Sequence, residues 1–277
     1  MKFIICFLLL SMFGQLSAQS LTPGYYKGDP IPKKIAYLTF DDGPSDWTED
    51  FLDILKEEKV KATFFICGLW APHATYATNA FKLYRETLMR MIDEGHIVAN
   101  HTLSHANLAV LNDAQIRNQI VRNQDLFNKE MGPDYARDLI LFRPPFGSPF
   151  QYESPTSVKQ KVSNSLKNLG IPMLWNVDST DSGEWAHGEW FQKRSTDTTT
   201  AQYKRKVKRI ENAVLSKAVN GEGIVILMHD THPTTKDALR NIIKTLKERG
   251  YKFRTMEHYI RYRYNKSSLD LFYENQD

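Results

Sequence analysis

The sequence predicts an α/β protein built on a parallel sheet or barrel. Seven short apolar runs, rich in branched and aromatic residues, occur along the 277-residue chain, and longer helical patterns lie between most of them. This alternation is typical of β-α-β units, in which helices cover both faces of a parallel sheet. Functional groups in such folds gather at the carboxyl ends of the strands. The residues that follow each run are therefore the candidates for a functional site.

The predicted elements follow one another in a regular order. Strands are predicted at residues 35–40, 60–66, 97–100, 139–142, 173–177, 224–228 and 251–255. Helices are predicted at residues 48–58, 81–94, 113–131, 157–169, 200–219 and 236–249. Asp113 can cap the start of its helix, and glycines follow several helical patterns, where a left-handed residue ends a helix. These glycines are Gly95, Gly132, Gly170 and Gly250.

The composition is that of an ordinary globular protein. Hydrophobic residues make up 42% and charged residues 25% of the chain, which excludes collagen-like and disordered classes. The net charge of +4 is too small to indicate a nucleic-acid partner, because such proteins usually carry a concentrated basic stripe. The densest basic run, residues 204–209, is interpreted as a solvated helix face. Contact with an anionic wall polymer or a membrane surface is the alternative.

The amino terminus predicts an export signal. Lys2 precedes an apolar run at residues 3–13, and small and polar residues follow it as far as Ala18. The run is too short to span a bilayer, which favours a cleaved signal at residues 1–18 over a retained membrane anchor. We therefore expect an exported protein, located in the periplasm, in the cell envelope or outside the cell. No stable membrane span is expected after the signal is removed.

The chain has two cysteines, and Cys6 lies within the predicted signal. The mature chain would keep only Cys67, so no intrachain disulfide is expected. Cys67 directly follows an apolar strand pattern, where a buried structural thiol is expected rather than a nucleophile.

Two carboxylates stand at the end of the first predicted strand, and two histidines follow the third. Asp41 and Asp42 precede a Gly-Pro pair that turns the chain and would let both carboxylates reach one pocket. Alone, this motif is typical of a turn. His101 and His105 are four residues apart, a spacing that allows two imidazoles to bind one metal. With a strand-end aspartate they would form a three-ligand set suited to a catalytic metal.

Three further motifs follow later strands. Arg143 precedes a turn that begins with two prolines and is therefore rigid. Asp178 and Asp181 follow the fifth predicted strand, and His229 ends the sixth, where it is a candidate for proton transfer. Taken alone, each motif has a simpler interpretation. Arg143 would be a surface charge, the two aspartates would belong to a polar turn, and His229 would be a buried core histidine. Together, five polar motifs at five strand ends favour an enzyme.

These motifs resemble those of the polysaccharide deacetylase family, carbohydrate esterase family four, with its NodB-homology domain. The resemblance runs in order from about residue 34 to residue 259 and is strongest at residues 39–44 and 101–105. It implies a distorted (β/α)7-type barrel, a divalent metal and hydrolysis of acetyl groups on sugars. Zinc is the expected metal, with Co²⁺, Mn²⁺ or Ni²⁺ as alternatives. The expected domains are a signal at 1–18, an irregular lead-in at 19–33, the catalytic domain at 34–262 and a tail at 263–277.

The resemblance implies a metal site and a general base. The implied metal ligands are Asp42, His101 and His105. Asp41 would be the general base that activates water. A carboxylate beside a metal would remain ionised, because nearby positive charge favours the charged form.

The resemblance also implies roles for the residues around the metal. Arg143 would orient the base, and Asp181 would in turn hold Arg143. His229 would protonate the leaving amine, as a general acid near neutral pH. Leu227 would line the pocket for the acetyl methyl group, and the backbone N–H of Phe146 would help to stabilise the oxyanion.

The chain departs from the family pattern at two site positions. Phe146 stands where the family usually has Tyr, which leaves the backbone donor in place. Ser182 stands where the family usually has a Trp that walls the acetyl pocket. Segments 69–80 and 183–200 look longer than usual and are expected to lie over the active face, where aromatic residues would stack on sugars or pack locally. The candidates to replace the missing indole are Trp185, Trp175 and Trp190.

The leading hypothesis is an exported, metal-dependent N-deacetylase that acts on N-acetylglucosamine residues of a polymer. Peptidoglycan is the first expected substrate, chitin oligosaccharides the second, and acetyl-xylan, an ester, the third. A non-catalytic glycan-binding relative is the alternative from another class, motivated by Ser182. A serine hydrolase is not supported, because no Gly-x-Ser-x-Gly elbow occurs in the chain.

Overall fold

The computed structural model describes residues 22–70, 74–184 and 197–274. The strands in these ranges are β1 (Ile35–Asp41), β2 (Thr63–Ile66), β3 (Ile97–Asn100), β4 (Leu141–Phe142), β5 (Ile171–Pro172), β6 (Val177–Asp178), β7 (Ile224–His229) and β8 (Lys252–Arg254). They form one parallel sheet in the order β5-β4-β3-β2-β1-β7-β6, and β8 pairs with β1 outside this path.

Strand β1 lies at the centre of the sheet and shares one of its edges between two partners. On one side it pairs with β7 from Ala36 through Asp41. On the other side, its first residues pair with β8 and its last residues pair with β2. The strands twist and curl around this centre, as parallel strands covered by outer helices do. The parallel strands and the helices outside them form a distorted barrel, which confirms the predicted fold class.

Helices connect the strands and cover the outside of the sheet. They are α1 (Thr48–Glu57), α2 (Ala80–Leu83), α3 (Arg85–Asp93), α4 (Asp113–Met131), α5 (Thr156–Leu166), α6 (Ala201–Leu215), α7 (Pro233–Glu248), α8 (Met256–Tyr264) and α9 (Ser268–Glu274). Among the residues described, no helix is both long enough and apolar enough to cross a bilayer.

Two predicted elements are interrupted in the structure. The predicted helix 81–94 is split between α2 and α3, because Tyr84 has a non-helical backbone with φ −114° and ψ 32°. The predicted strand 173–177 is not continuous, and only Val177 belongs to a strand. The carbonyl oxygens of Met173 and Leu174 instead accept hydrogen bonds from the guanidinium of Arg143. These two oxygens therefore do not pair with a neighbouring strand among the residues described.

Most described residues after 262 are helical, and α4 has a different cap from the one predicted. The expected domain boundary after residue 262 falls inside α8, and Leu271 of α9 is buried. Asp113 does not cap α4. Asn112 does so instead, and its side chain accepts the N–H of Gln115 at 2.9 Å in a capping box.

Alternate residues of β1 face opposite sides of the sheet. Ala36, Leu38 and Phe40 join the apolar cluster that packs under the outer helices. Tyr37 joins a second cluster on the other face. Since side chains alternate along a strand, Asp41 lies on the same face as Tyr37. This alternation directs the last carboxylate of β1 away from the helices.

Cys67 is buried, as predicted, and its Sγ donates to the carbonyl oxygen of His101 at 3.0 Å. Burial raises the pKa of the thiol well above its ordinary value. The thiol is therefore protonated and serves as a packed donor.

His96 is a buried structural histidine with a consequence for acid stability. Its Nδ1 accepts the N–H of Ala62 at 3.1 Å, and burial lowers its pKa to about 4. The folded protein therefore binds fewer protons than the unfolded chain between pH 4 and the ordinary histidine pKa of about 6.5. The free energy of unfolding should fall as the pH is lowered through this window, with a contribution from His96 of at most about 3 kcal/mol.

Denaturant unfolding of the metal-free protein at pH 7 and pH 4.5 tests this expectation. In His96→Asn the amide oxygen keeps the acceptor for Ala62 but does not titrate. The loss of stability between the two pH values should be smaller in His96→Asn by about 2 kcal/mol. Equal losses in the two proteins would contradict the assignment.

Candidate active site

The polar motifs meet at one cavity at the carboxyl ends of the strands. The cavity has a volume of about 380 Å³. Its lining residues are Asp41, Asp42, Trp70, His101, His105, Phe146, Tyr152, Trp175, Asp178, Ser182, Leu227 and His229. The sequence-predicted residues Arg143 and Asp181 lie directly behind this lining, in contact with Asp41 and His229.

Asp41 and Asp42 both reach the cavity because the chain turns between them. Asp41 ends β1, and Asp42 has a left-handed backbone with φ 75°. A regular strand would place the two carboxylates on opposite faces. Thr102, His105 and Phe146 also have positive φ angles, between 54° and 72°. Such angles are unfavourable for residues with a side chain and are retained where the surroundings enforce them, often at functional sites.

Asp42, His101 and His105 form a compact set of possible metal ligands. Asp42 Oδ1 lies 3.4 Å from His101 Nε2 and 3.2 Å from His105 Nε2. One ligand atom from each residue lies within 4.8 Å of the other two. Asp42 Oδ1 is buried and accepts no hydrogen bond from the described residues. A buried carboxylate oxygen that faces two imidazole nitrogens fits a bound cation, because a buried charge needs a partner.

The protonation states of this set also suit a metal. Burial alone would raise the pKa of Asp42, but the neighbouring histidines outweigh it and hold that pKa well below its usual range. Burial lowers the pKa of His105 to about 4. His101 donates from Nδ1 to the carbonyl oxygen of Arg143 at 2.7 Å, which directs Nε2 towards Asp42. Metals bind an ionised carboxylate and neutral imidazoles.

Arg143 is completely buried and is fixed by several acceptors. Its Nη1 donates to Asp41 Oδ1 and to Thr39 Oγ1, each at 2.8 Å. Its guanidinium also lies 4.1 Å from the centre of the Phe65 ring. Burial lowers the pKa of Arg143, and the Asp41 carboxylate opposes this shift. The contact with Asp41 holds one carboxylate oxygen in a fixed position and leaves Oδ2 beside His101, at 3.7 Å from Nε2.

Asp181 pairs with His229 and does not hold Arg143, which corrects the arrangement implied by the resemblance. Asp181 Oδ1 accepts His229 Nδ1–H at 2.7 Å. The other oxygen accepts the backbone N–H of His229 at 2.8 Å and Thr235 Oγ1–H at 2.7 Å. Arg143 has other partners: besides Asp41 and Thr39, its guanidinium donates to the carbonyl oxygens of residues 173 and 174.

The Asp181 carboxylate sets the charge of His229. Burial alone would lower the pKa of His229, but Asp181 and the two carboxylates of the cavity raise it to about 10. The imidazole is therefore protonated at neutral pH and carries a proton on Nε2, which lies 3.9 Å from Asp42 Oδ2. His232 packs beside it, with ring centroids 5.6 Å apart, and burial lowers the pKa of His232 to about 4.

Apolar side chains line the floor of the cavity beside these polar groups. Leu227 and Trp175 are both buried and line it, so Trp175 is the one of the three candidate indoles that the structure places at the cavity. Ser182 lines the same cavity. Trp185 and Trp190 lie outside the described residues, as does most of segment 183–200.

Asp230 is a buried residue that motif reading did not single out. Its carboxylate accepts Thr48 Oγ1–H at 2.5 Å, and its backbone carbonyl accepts Ser45 Oγ–H at 2.7 Å. A Cβ atom at Gly43 would lie 2.3 Å from this carboxylate, so the turn after Asp42 requires a glycine. Burial raises the pKa of Asp230 to about 7. Asp230 directly follows His229 in the sequence, and this position could have drawn attention to it.

Trp70, Tyr152 and Asp178 line the cavity but were given no individual role from the sequence. Trp70 lies in segment 69–80, which was expected to be longer than the family pattern, and that expectation was the available signal. Tyr152 follows the turn after Arg143 in the chain, and nothing in the sequence pattern indicated that it would reach the cavity.

The fold and the cavity define an α/β barrel protein whose functional groups gather at the strand ends. A family model described as polysaccharide deacetylase matches residues 28–174. The chain belongs to the polysaccharide deacetylase family, as the sequence motifs predicted.

Relatives and solved structures of this family resemble most of the chain. A peptidoglycan-N-acetylglucosamine deacetylase of Bacillus cereus is 31% identical over 222 residues, which are 80% of this chain and 68% of the relative. A chitooligosaccharide deacetylase of Bradyrhizobium is 30% identical over 239 residues, which are 81% of this chain and 90% of the relative. The crystal structure of a polysaccharide deacetylase from Bacillus cereus has a TM-score of 0.60 and 29% identity, and the match covers 81% of this chain and 92% of that chain.

Proposed function

We propose that the protein is an exported, metal-dependent N-deacetylase that removes acetyl groups from N-acetylglucosamine residues of peptidoglycan. The observation that carries the proposal is the cavity in which Asp42, His101 and His105 bring one possible ligand atom each within 4.8 Å of one another, beside the Asp41 carboxylate and the His229 imidazole. Amide hydrolysis needs these three functions together, since water must be activated, an oxyanion stabilised and the leaving nitrogen protonated.

Asp42, His101 and His105 would hold the metal, and zinc suits a set of two imidazoles and one carboxylate. When bound, the metal would supply Lewis-acid polarisation of the acetyl carbonyl and would lower the pKa of a water molecule.

Asp41 would act as the general base. Its Oδ1 is held by Arg143 and its Oδ2 faces the cavity side of His101, so the carboxylate is fixed with one oxygen directed at the ligand set. A base that is fixed in advance loses little conformational entropy when the reaction begins. Asp41 takes a proton from water as the water oxygen forms a bond to the acetyl carbonyl carbon.

His229 would act as the general acid. Its Nδ1 is committed to Asp181, and its protonated Nε2 faces the cavity, so the proton available for transfer is on the correct nitrogen. As the C–N bond breaks, Nε2 gives this proton to the leaving nitrogen. The products are a free amine and acetic acid, which ionises to acetate. Asp41 then releases the proton it took from water and His229 regains one from solvent, which restores both groups for the next turnover.

The rest of the lining would select the acetyl group and the polymer. Leu227 and Trp175 provide an apolar wall for a methyl group. The backbone N–H of Phe146 would support the developing oxyanion, as expected from the family resemblance. The Phe146 and Tyr152 rings line the cavity mouth with exposed fractions of 55% and 59%, and exposed aromatic faces suit stacking on sugar rings.

The preference for peptidoglycan and the export of the protein rest on other observations. The similarity to a peptidoglycan-N-acetylglucosamine deacetylase supports the polymer, and the similarity to a chitooligosaccharide deacetylase supports chitin oligosaccharides as the second substrate. The apolar run behind Lys2 supports cleavage after residue 18 and action at the cell wall. The expected catalytic unit is residues 34–262 together with the helix that crosses this boundary.

Acetate release by purified residues 19–277, supplied with zinc, tests the proposal. Peptidoglycan, N-acetylglucosamine oligomers and acetyl-xylan are compared at matched acetyl concentrations. We expect release from peptidoglycan to be fastest, with oligomers second. Faster release from the oligomers or the ester would overturn the polymer assignment but keep the deacetylase. Glycan binding by the zinc-loaded protein with no acetate release from any of the three would favour a non-catalytic relative.

A further inference from the structure

The two histidines of the proposed ligand set are held by different contacts. His101 is fixed by the hydrogen bond from Nδ1 to the Arg143 carbonyl oxygen, at 2.7 Å. His105 Nδ1 is also buried, but it has no hydrogen-bond partner among residues 22–70, 74–184 and 197–274. Metal-binding histidines almost always donate their second N–H to a neighbour, which fixes the plane of the ring. The orientation of the His105 ring therefore depends on other contacts.

Two aromatic rings enclose the His105 imidazole. The Trp70 indole stacks on its face, with ring centroids 4.5 Å apart and an interplanar angle of 26°. The Phe146 ring meets it at an angle of 69°, with centroids 4.6 Å apart. The His105 side chain is only 8% exposed as a result. Of the two rings, the indole covers the flat face, and a flat contact resists rotation of the imidazole out of its plane.

The backbone on either side supports this stack. Leu69 N–H donates to the carbonyl oxygen of Leu103 at 2.7 Å, which ties the segment before Trp70 to the loop that carries His105. Gly68 N–H donates to the side chain of Asn123 at 3.0 Å. His105 itself has a left-handed backbone with φ 54°, a conformation that surrounding contacts must enforce.

We propose that Trp70 is a positioning residue for the metal ligand His105, and that it replaces the usual hydrogen bond to the second ring nitrogen by ring stacking. This proposal rests on the proposed metal site. The stack keeps His105 Nε2 directed at Asp42 Oδ1, at 3.2 Å, before any metal binds. Without the indole face, the imidazole would have to be ordered during binding, and metal affinity would fall.

Trp70 also lines the cavity, so a wall for the sugar is the competing explanation. The two explanations differ in what they predict without substrate. A sugar wall changes KM and leaves metal affinity unchanged. A positioning residue changes metal affinity and the geometry of the bound ion when no sugar is present.

Zinc and cobalt binding to the purified protein without substrate distinguishes them. Trp70→Leu and Trp70→Met remove the flat ring and keep apolar bulk, while Trp70→Phe keeps a ring. Trp47→Leu is the matched control, because it removes a buried indole from the apolar cluster under the outer helices. The dissociation constant for zinc is measured against a coloured chelator, and the visible spectrum of bound Co²⁺ reports ligand geometry. Far-UV circular dichroism identifies the folded variants.

We expect Trp70→Leu and Trp70→Met to bind zinc about 10-fold more weakly and to change the Co²⁺ spectrum, since loss of a group that orients a ligand costs about 10–100-fold. Trp70→Phe should stay within about 3-fold, by partial rescue of the stack, and Trp47→Leu should match the wild type. Unchanged zinc affinity in either folded non-aromatic variant, or equal losses in Trp70→Phe and Trp70→Leu, would overturn the positioning role. Wild-type protein that binds neither ion would overturn the metal site itself.

Discussion

Asp42→Ala is expected to abolish metal binding and acetate release together. Asp42 supplies the only carboxylate of the ligand set that includes His101 and His105. Its removal leaves two imidazoles and takes away the negative charge that compensates the ion. Zinc affinity should fall by more than about 100-fold, which exceeds the usual loss for residues that only orient a ligand. Acetate release should fall to the background of the assay.

Metal content and turnover are measured on the same preparation of Asp42→Ala. Asp178→Asn is the matched control, because Asp178 lines the same cavity but is not among the residues whose atoms cluster as metal ligands. The control should keep one metal per chain. Full metal stoichiometry in Asp42→Ala would show that the ligand assignment is wrong.

Asp41→Asn is expected to keep the metal and lose the rate. The amide has the shape of the carboxylate, and its oxygen can still accept the N–H of Arg143 that now reaches Asp41 Oδ1. It cannot take a proton from water. General-base catalysis contributes about 10²- to 10⁴-fold, so kcat should fall by about that factor while zinc affinity changes little.

Steady-state kinetics and zinc titration of Asp41→Asn are compared with those of Asp178→Asn, which loses a carboxylate elsewhere in the cavity. If the rate falls in Asp41→Asn but not in Asp178→Asn, the proton transfer is assigned to position 41. Turnover of Asp41→Asn within about 3-fold of the wild type would exclude Asp41 as the base, since a general base contributes at least about 10²-fold.

The sequence predicted the fold class because short apolar runs rich in branched and aromatic residues alternate with longer helical patterns. β1, β3 and β7 lie within one or two residues of their predicted bounds. The interrupted segment at 173–176 was predicted wrongly, because its apolar composition suits a strand. Its backbone carbonyls are instead used by Arg143, and that contact spans 30 residues of chain. Local pattern carries no information about such a partner.

In the site, too, features set by local sequence were predicted, and contacts between residues far apart in sequence were not. The meeting of the predicted Asp and His motifs at one cavity followed from the strand-end rule, and the positive φ of Asp42 explains how two adjacent carboxylates reach it together. The hydrogen-bond partners of the buried charged residues could not be predicted from this rule. Asp181 lies against His229 and Thr235, which are 48 and 54 residues away in sequence, and family resemblance alone had placed it against Arg143. The stack of Trp70 on His105 also joins two loops that only the folded chain brings together.

Acetate release through one cycle of metal removal and return tests the central claim most directly. Purified residues 19–277 are assayed on peptidoglycan as isolated, after treatment with a chelator, and after addition of zinc to the same sample. We expect release to disappear with the chelator and to return in proportion to the zinc bound, up to one ion per chain. Release that continues unchanged in protein shown to be free of metal would contradict the account. So would a zinc-loaded, folded protein that releases no acetate.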